Sequence, residues 1–173
     1  SIYYENRFAK LKLDQLVVDD IDEAISKVAQ DMPEYIVKGA VERATRQESI
    51  VGNTKRLQII ADDIITHYED REKVFTGKAL IVAMSRTVAV KLYNEIIALR
   101  PDWHSDDDDS GVIKVIMTGS SSDDDFLRPH IRNKIGRTKI AGRLKDIKDP
   151  LKMVIVVDMW LTGFDAPILH TMY

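Results

Sequence analysis

The chain has 173 residues, of which 45% are apolar and 31% charged, with a formal net charge of −3 and no cysteine. This composition is typical of a soluble globular protein, and the lack of cysteine excludes disulfides, thiolate metal sites and cysteine nucleophiles. No apolar run approaches the length of a membrane span and no signal-peptide pattern opens the chain, so we expect no membrane partner. The small negative charge gives no global sign of nucleic-acid binding, which needs only a local basic patch.

Residues 1–75 form a predicted N-terminal extension with one or two short strands and about three helices. Asp19 or Asp20 is expected to cap the first helix, although an acidic pair after an apolar run also resembles a magnesium-binding box. Pro33 is well placed as the first residue of the second helix. Thr54 is expected to cap the third helix, which carries a regular apolar stripe.

A different pattern begins at residue 76. Three short apolar runs rich in β-branched residues predict buried strands within 78–84, 112–117 and 151–157. Helical patterns separate these runs, and Ser85 is expected to cap the first of the helices. The alternation of strand and helix predicts an α/β fold with right-handed crossovers and a parallel sheet on which the helices pack.

Two charged stretches lie between the predicted strands. The acidic run Asp106–Asp109 is interpreted as a solvated loop, with a divalent-cation site as the alternative. Residues 128–148 contain eight basic side chains against Asp146 alone, and a thin apolar edge predicts a basic helix there. Its charge fits either a solvated face or contact with an anionic neighbour.

The three predicted strands end in similar residue pairs, at Ser85-Arg86, Thr118-Gly119 and Thr162-Gly163. In a parallel sheet these ends meet at one edge, where open α/β sheets bind ligands. Hydroxyl groups and backbone amides at such ends suit phosphate oxygens. Their repetition at three ends could follow a nucleic-acid backbone without reading bases.

The segment Asp158–Pro167, DMWLTGFDAP, resembles motif V of superfamily-two helicases and translocases, in a form close to that of type I restriction endonuclease R subunits. KALIVAMSR at 78–86 resembles motif IV of the same subunits, and the turn Met117–Gly119 stands where these motors grip the DNA backbone. Three shorter segments are also similar to this family: IYYE at 2–5, HIRNK at 130–134 and LHTMY at 169–173. The resemblance covers most of the chain and is thinnest over residues 14–50.

This resemblance implies a RecA-like fold: residues 76–173 would be the second RecA-like lobe of an ATP-driven DNA-translocating motor, incomplete before motif VI and preceded by a mainly helical region. It also implies roles for individual residues. Gly163 and Asp165 would face the nucleotide or the opposite lobe. The DNA backbone would be contacted by Ser85, Arg86, Thr118, Gly119 and Thr162.

The family further implies ATP and Mg²⁺ as cofactors of the parent enzyme, with their main binding residues outside this chain. The implied partners are double-stranded DNA, the methylation and specificity subunits, and the first RecA-like lobe in cis, in the bacterial cytoplasm. The sequence contains no GxxxxGK[ST] phosphate loop, and an arginine-bearing motif VI would lie beyond Tyr173. We therefore expect a piece of a longer polypeptide, with no catalytic or metal-binding residue of its own and no activity in isolation.

Two alternatives are kept. One is a stand-alone α/β regulatory or interaction module, in which TGFDAP is only a structural turn. The other is a lobe of another superfamily-two motor, although those groups usually carry an arginine or a Gly-Gly pair in place of Thr162. Asp102, together with Asp146 and Lys148, imitates the family's nuclease carboxylates and lysine, but the long spacing favours coincidence.

Overall fold

The computed structural model of the chain describes residues 40–120, 123–160, 164 and 166–173. The chain divides into two compact units, residues 1–60 and 61–173. The short N-terminal strands, the first predicted helix and the helix start at Pro33 lie outside the described residues. The predicted domain boundary between residues 75 and 76 stays a prediction.

The described part of the first unit is helical. Helix α1 covers Ala40–Val51, and helix α2 covers Thr54–Glu72, so that α2 continues into the second unit. Thr54 does not cap α2 as predicted, because it is already the first helical residue. The side chain of Asn53 takes this role by accepting a hydrogen bond of 3.3 Å from the backbone N–H of Arg56, which leaves fewer unpaired donors in the first turn.

Four parallel strands form one sheet in the second unit, in the spatial order β2-β3-β1-β4. Their bounds are β1 Lys78–Val82, β2 Ile113–Ile116, β3 Met153–Val156 and β4 Leu169–Met172. The first three strands correspond to the three predicted apolar runs. The fourth was not predicted, because its four residues, LHTM, are too mixed in polarity to stand out in the sequence.

Two longer helices connect the first three strands. Helix α3 covers Arg86–Leu99 and joins β1 to β2, and helix α4 covers Lys134–Lys145 and joins β2 to β3. The chain steps past the position of β3 on the way from β1 to β2 and then returns, so right-handed crossovers require the two helices to lie on opposite faces. Short 3₁₀ turns at Pro101–Trp103 and Arg128–His130 complete the connections.

A buried cluster on the α4 face holds this helix against the sheet. It consists of Leu80, Ile116, Ile140, Leu144, Leu151, Val154 and Val156. Helix α3 packs against β2 and β3, and its buried residues include Val88, Leu92, Tyr93 and Ile96. The apolar pattern of this helix places Leu99 on the same inner face, but Leu99 is 42% exposed at the helix end.

Gly77, in the segment between α2 and β1, lies close to His170 of β4. A Cβ atom at this position would lie 2.2 Å from Cδ2 of His170, so any side chain would require the His170 ring to shift. The carbonyl of Gly77 accepts a hydrogen bond of 2.7 Å from the Tyr68 hydroxyl of α2. This contact ties the end of α2 to the strand that follows.

The predicted fold class is confirmed: the protein is α/β, with helices packed on a parallel sheet and a helical segment before it. This architecture matches that expected for a RecA-like lobe. No helix in the described part of the chain is both long and apolar enough to cross a membrane.

Candidate nucleic-acid interface at the strand-end edge

The carboxyl ends of β1, β3 and β2 lie side by side in register, with Val82, Val156 and Ile116 as neighbouring partners. We call the residues that follow them, 84–86, 117–120 and 157–160, the strand-end edge. The edge brings together four of the predicted DNA-contact residues, Ser85, Arg86, Thr118 and Gly119. Thr162, Gly163 and Asp165 lie outside the described residues, so their predicted roles stay predictions.

Ser85 caps helix α3 as predicted. Its side-chain oxygen accepts a hydrogen bond of 3.2 Å from the backbone N–H of Val88. The backbone of Ser85 is extended, with φ −150° and ψ 165°, as a capping residue requires. The first turn of α3 therefore begins at the strand-end edge, where the helix dipole favours an anion.

Arg86 links two strand ends that are not adjacent in the sheet. Its Nη1 donates to the backbone carbonyl of Thr118 over 3.2 Å and pairs with Oδ1 of Asp123 at 2.6 Å. The Arg86 side chain is 32% exposed. It is therefore a partly exposed cation that is already fixed by the loop after β2.

The turn after β2 is exposed but tightly packed from behind. Thr118, Gly119 and Ser120 are exposed. A Cβ atom on Gly119 would lie 2.5 Å from Cγ2 of Ile131, so this position admits no side chain without a shift of its neighbour. Ile131 forms a parallel bridge with Met117 and thereby extends the sheet beyond β2.

Asp123 contacts this edge from the loop after β2, and the sequence analysis missed it. Its side chain is only 3% exposed, and its Oδ2 accepts a hydrogen bond of 2.5 Å from the backbone N–H of Ser120. The spacing Ser-x-x-Asp was a usable signal, because a carboxylate three residues after a serine can reach back to the serine N–H, as in a capping box. The partner Arg86, 37 positions earlier, could not be read from local spacing.

The end of β3 has an unusual backbone. Asp158 and Trp160 adopt positive φ angles of 52° and 60°, a region that residues other than glycine seldom visit. Trp160 stacks on Phe164 with ring centroids 4.5 Å apart and an angle of 5° between the rings. The ammonium group of Lys145 lies 4.9 Å from the centroid of Phe164, so a cation–π contact connects α4 to this loop.

The two charged stretches contact one another. Arg132 pairs with Asp108 at 2.5 Å, and Lys139 pairs with Asp109 at 2.5 Å. The anionic neighbour of the basic stretch is thus the acidic loop of the same chain. The interpretation of that loop as simply solvated is wrong for Asp108, whose side chain is only 28% exposed, while Asp106 is 95% exposed as expected.

Arg143 fixes this loop from the buried side of α4. Its guanidinium pairs with the carboxylate of Asp149 at 2.9 Å, and the side chain is 7% exposed. It also donates to three loop carbonyls, at distances of 2.9 Å for Asp108, 3.0 Å for Ser110 and 3.1 Å for Gly111. Burial raises the pKa of Asp149, but hydrogen bonds, first from Arg143, more than offset this effect and lower it overall. The predicted basic surface is therefore smaller than its charge count suggested.

Two buried lysines also donate hydrogen bonds to carbonyls of α4 and of the acidic loop. Nζ of Lys78 donates to the carbonyl of Arg143 over 2.7 Å, and Nζ of Lys114 donates to the carbonyls of Ser105 and Asp107 over 2.6 and 2.7 Å. Burial lowers the pKa of both lysines, because the low-dielectric interior disfavours the charged form. These cations hold the last turn of α4 and the acidic loop at the opposite end of the sheet from the strand-end edge.

The local structure of Asp102, Asp146 and Lys148 does not support a nuclease site. Asp102 lies in the 3₁₀ turn, and Asp146 caps the end of α4 instead of lying inside the helix as expected. The Asp146 carboxylate accepts the backbone N–H of Lys148 over 2.9 Å. Among the described residues, no group of three His, Asp or Glu side chains could hold a metal ion.

The family model for type I restriction enzyme subunit R domain 3 matches residues 128–173. The type I restriction enzyme HindI endonuclease subunit of Haemophilus influenzae is 49% identical over 127 residues, which are 73% of this chain and 12% of that protein. The MjaIXP type I restriction enzyme endonuclease subunit of Methanocaldococcus jannaschii is 42% identical over 175 residues, which are 99% of this chain and 16% of that protein.

A third relative, the MjaVIIP type I restriction enzyme endonuclease subunit of the same organism, is 25% identical over 88% of this chain. The matched region thus spans less than a fifth of each of these relatives. None of the matches supports the stand-alone module or another class of helicase. The chain belongs to the R-subunit family of type I restriction enzymes and corresponds to a segment of such a subunit.

Proposed function

We propose that this chain acts as the second RecA-like lobe of a DNA-translocating motor and contacts the phosphate backbone of duplex DNA with its strand-end edge. The supporting observation is the convergence of Ser85, Arg86, Thr118 and Gly119 at the carboxyl-end edge of one parallel sheet. Parallel sheets bind ligands at this edge, and backbone contacts need no base-specific geometry. Thr162 belongs to the same proposed contact set.

The chemistry available at the edge suits phosphate. The first turn of α3 supplies backbone N–H groups behind the Ser85 cap, and Arg86 adds a guanidinium that can bind two phosphate oxygens at once. The turn at Thr118 and Gly119 is exposed and has no bulky side chain, so a backbone could approach it closely. Such contacts would be independent of DNA sequence and sensitive to salt.

The remaining assignments concern the complete subunit. We infer that it uses ATP and Mg²⁺, and that Gly163 and Asp165 of this chain form part of one wall of the nucleotide cleft. Bound MgATP would supply the energy for domain closure, whereas the residues of this lobe would grip the DNA backbone. The expected partners are duplex DNA, a first RecA-like lobe in the same polypeptide, and methylation and specificity subunits. We place the assembly in the cytoplasm of its host.

A pair of substitutions at Ser85 tests the DNA contact. Ser85→Asn and Ser85→Asp both keep a good helix cap, but only the second places a carboxylate where a phosphate would bind. Binding of fluorescein-labelled duplexes of two unrelated sequences is measured by anisotropy at low salt. We expect Ser85→Asp to weaken binding at least tenfold through charge repulsion, a loss of about 1.4 kcal/mol, while Ser85→Asn stays within about twofold of wild type.

A control variant sits away from the edge. Thr138→Asp introduces the same charge on an exposed position of α4 outside the strand-end edge and should change affinity by less than about threefold at moderate salt, because salt screens an exposed charge that makes no direct contact with a phosphate. Equal affinities of wild type and Ser85→Asp would refute contact at this edge. A marked preference for one of the two duplex sequences would refute the sequence-independent backbone contact.

A further inference from the structure

We propose that Asp123 is a positioning residue that holds Arg86 and the turn after β2 in the arrangement that grips the DNA backbone. This inference rests on the proposed DNA contact and assigns a role to a residue that touches no DNA itself. It follows from the contacts of a single buried carboxylate with two parts of the strand-end edge.

The two oxygens of Asp123 serve two different segments. Oδ1 pairs with Nη1 of Arg86 at 2.6 Å, and Oδ2 accepts the backbone N–H of Ser120 at 2.5 Å. The same Nη1 of Arg86 reaches the carbonyl of Thr118. One carboxylate thus connects the start of α3 with the turn after β2, across the position of β3 in the sheet.

The carboxylate is itself well fixed. The Asp123 side chain is 3% exposed, and the backbone carbonyl of Asp123 accepts a hydrogen bond of 3.2 Å from Nε of Arg128. Burial strengthens both contacts of the carboxylate, because little water competes for its oxygens. A buried carboxylate with an N–H donor and a guanidinium is expensive to remove but rigid when complete.

This rigidity matters for a flexible cation. A free arginine side chain loses about 2 kcal/mol of rotamer entropy when it is ordered on a ligand. The contacts with Asp123 and Thr118 order Arg86 before any ligand binds. Both contacts use Nη1, whereas a guanidinium carries five N–H donors in all. Arg86 can therefore meet a phosphate without a large ordering cost.

Simple electrostatics and the positioning role predict opposite signs for one substitution. Asp123→Asn removes a negative charge near the DNA, which on charge alone would strengthen binding. If Asp123 positions Arg86, the same substitution loosens the guanidinium and weakens binding. The sign of the change therefore separates the two explanations.

Anisotropy with labelled duplex DNA over a range of salt concentrations makes the test on the full chain. We expect Asp123→Asn to bind about tenfold more weakly, with a salt slope reduced by about 0.9, the value of one lost phosphate contact. Partial unfolding alone would lower the fraction of binding-competent protein without changing that slope. Asp125→Asn is the matched control. It removes the same charge only two residues from Asp123, but the Asp125 side chain is 92% exposed.

A double-mutant cycle with Arg86→Ala completes the test. If Asp123 acts through Arg86, the double variant should bind as weakly as Arg86→Ala alone. If wild type binds DNA and Asp123→Asn binds equally well or more tightly, the positioning role is overturned and the DNA contact stands. Absence of DNA binding by wild type at low salt would overturn the proposed function and, with it, the inference that rests on it.

Discussion

Replacement of Arg143 by methionine should be among the most damaging single changes in the second unit. The guanidinium is 7% exposed, and its loss would leave the Asp149 carboxylate, itself only 19% exposed, without its charged partner. It would also remove donors from the carbonyls of Asp108, Ser110 and Gly111. Breaking a buried ion pair by removing one partner costs about 3–5 kcal/mol, and each carbonyl left dry adds to this.

Urea denaturation followed by circular dichroism measures this loss. With a slope of about 1.5–2 kcal/mol per molar urea, the midpoint should fall by roughly 2 M. Lys139→Ala is the matched control, because Lys139 lies on the same helix and pairs with the same acidic loop through side chains that are 45% and 62% exposed. Exposed pairs contribute at most about 1 kcal/mol, so this variant should unfold close to wild type.

A second variant separates the buried charge from lost packing. Adding Asp149→Asn to Arg143→Met removes the uncompensated carboxylate, so the double variant should be more stable than the sum of the two single effects predicts. The reasoning would be refuted if Arg143→Met and Lys139→Ala lost similar amounts of stability. It would also be refuted if the double variant showed strict additivity.

Two further predictions concern pH and backbone space. Burial, and then the neighbouring Arg132, lower the pKa of His130 to about 4, so the folded state disfavours the imidazolium. The neutral His130 therefore contributes its full stabilisation above the unfolded-state pKa of about 6.5, and this stabilisation declines as pH falls toward 4. His130→Phe keeps a ring against Tyr93. It should reduce the change in unfolding free energy across this pH window by on the order of 2 kcal/mol. Gly119→Ala should destabilise the protein by about 1 kcal/mol or more in thermal unfolding, because its Cβ would clash with a neighbouring side chain. Gly142→Ala, whose Cβ would meet nothing within 4 Å, should stabilise helix α4 by roughly 0.5–1 kcal/mol. Equal effects of the two alanines would contradict this explanation.

The predictions that held rest on short-range rules. Runs of β-branched residues identified β1, β2 and β3, because a strand buried on both faces needs an unbroken apolar sequence. Ser85 was recognised as a cap because the capping bond spans only three residues. Motif resemblance added the expected DNA-contact role of the strand-end edge, which stays a prediction.

Features that depend on contacts between distant segments could not be read from the sequence. The basic residues of 128–148 fitted either a solvated face or an anionic neighbour, and in the structure Arg132 and Lys139 pair with carboxylates more than twenty positions earlier. Arg143, counted with them, is buried against backbone carbonyls of the same loop. Charge counting along a sequence cannot show this, because it records how many charges are present but not which ones the fold brings together.

By itself, the sequence determined the α/β class, three of the strands, the cap of α3 and the family resemblance, since each is carried by residues close together in the chain. Only the tertiary structure decided that β3 lies between β1 and β2, that β4 joins the sheet, and that Asp123 connects Arg86 to the turn after β2. Strand order and a buried ion pair are set by which distant segments can bury their apolar faces and satisfy their polar groups at the same time.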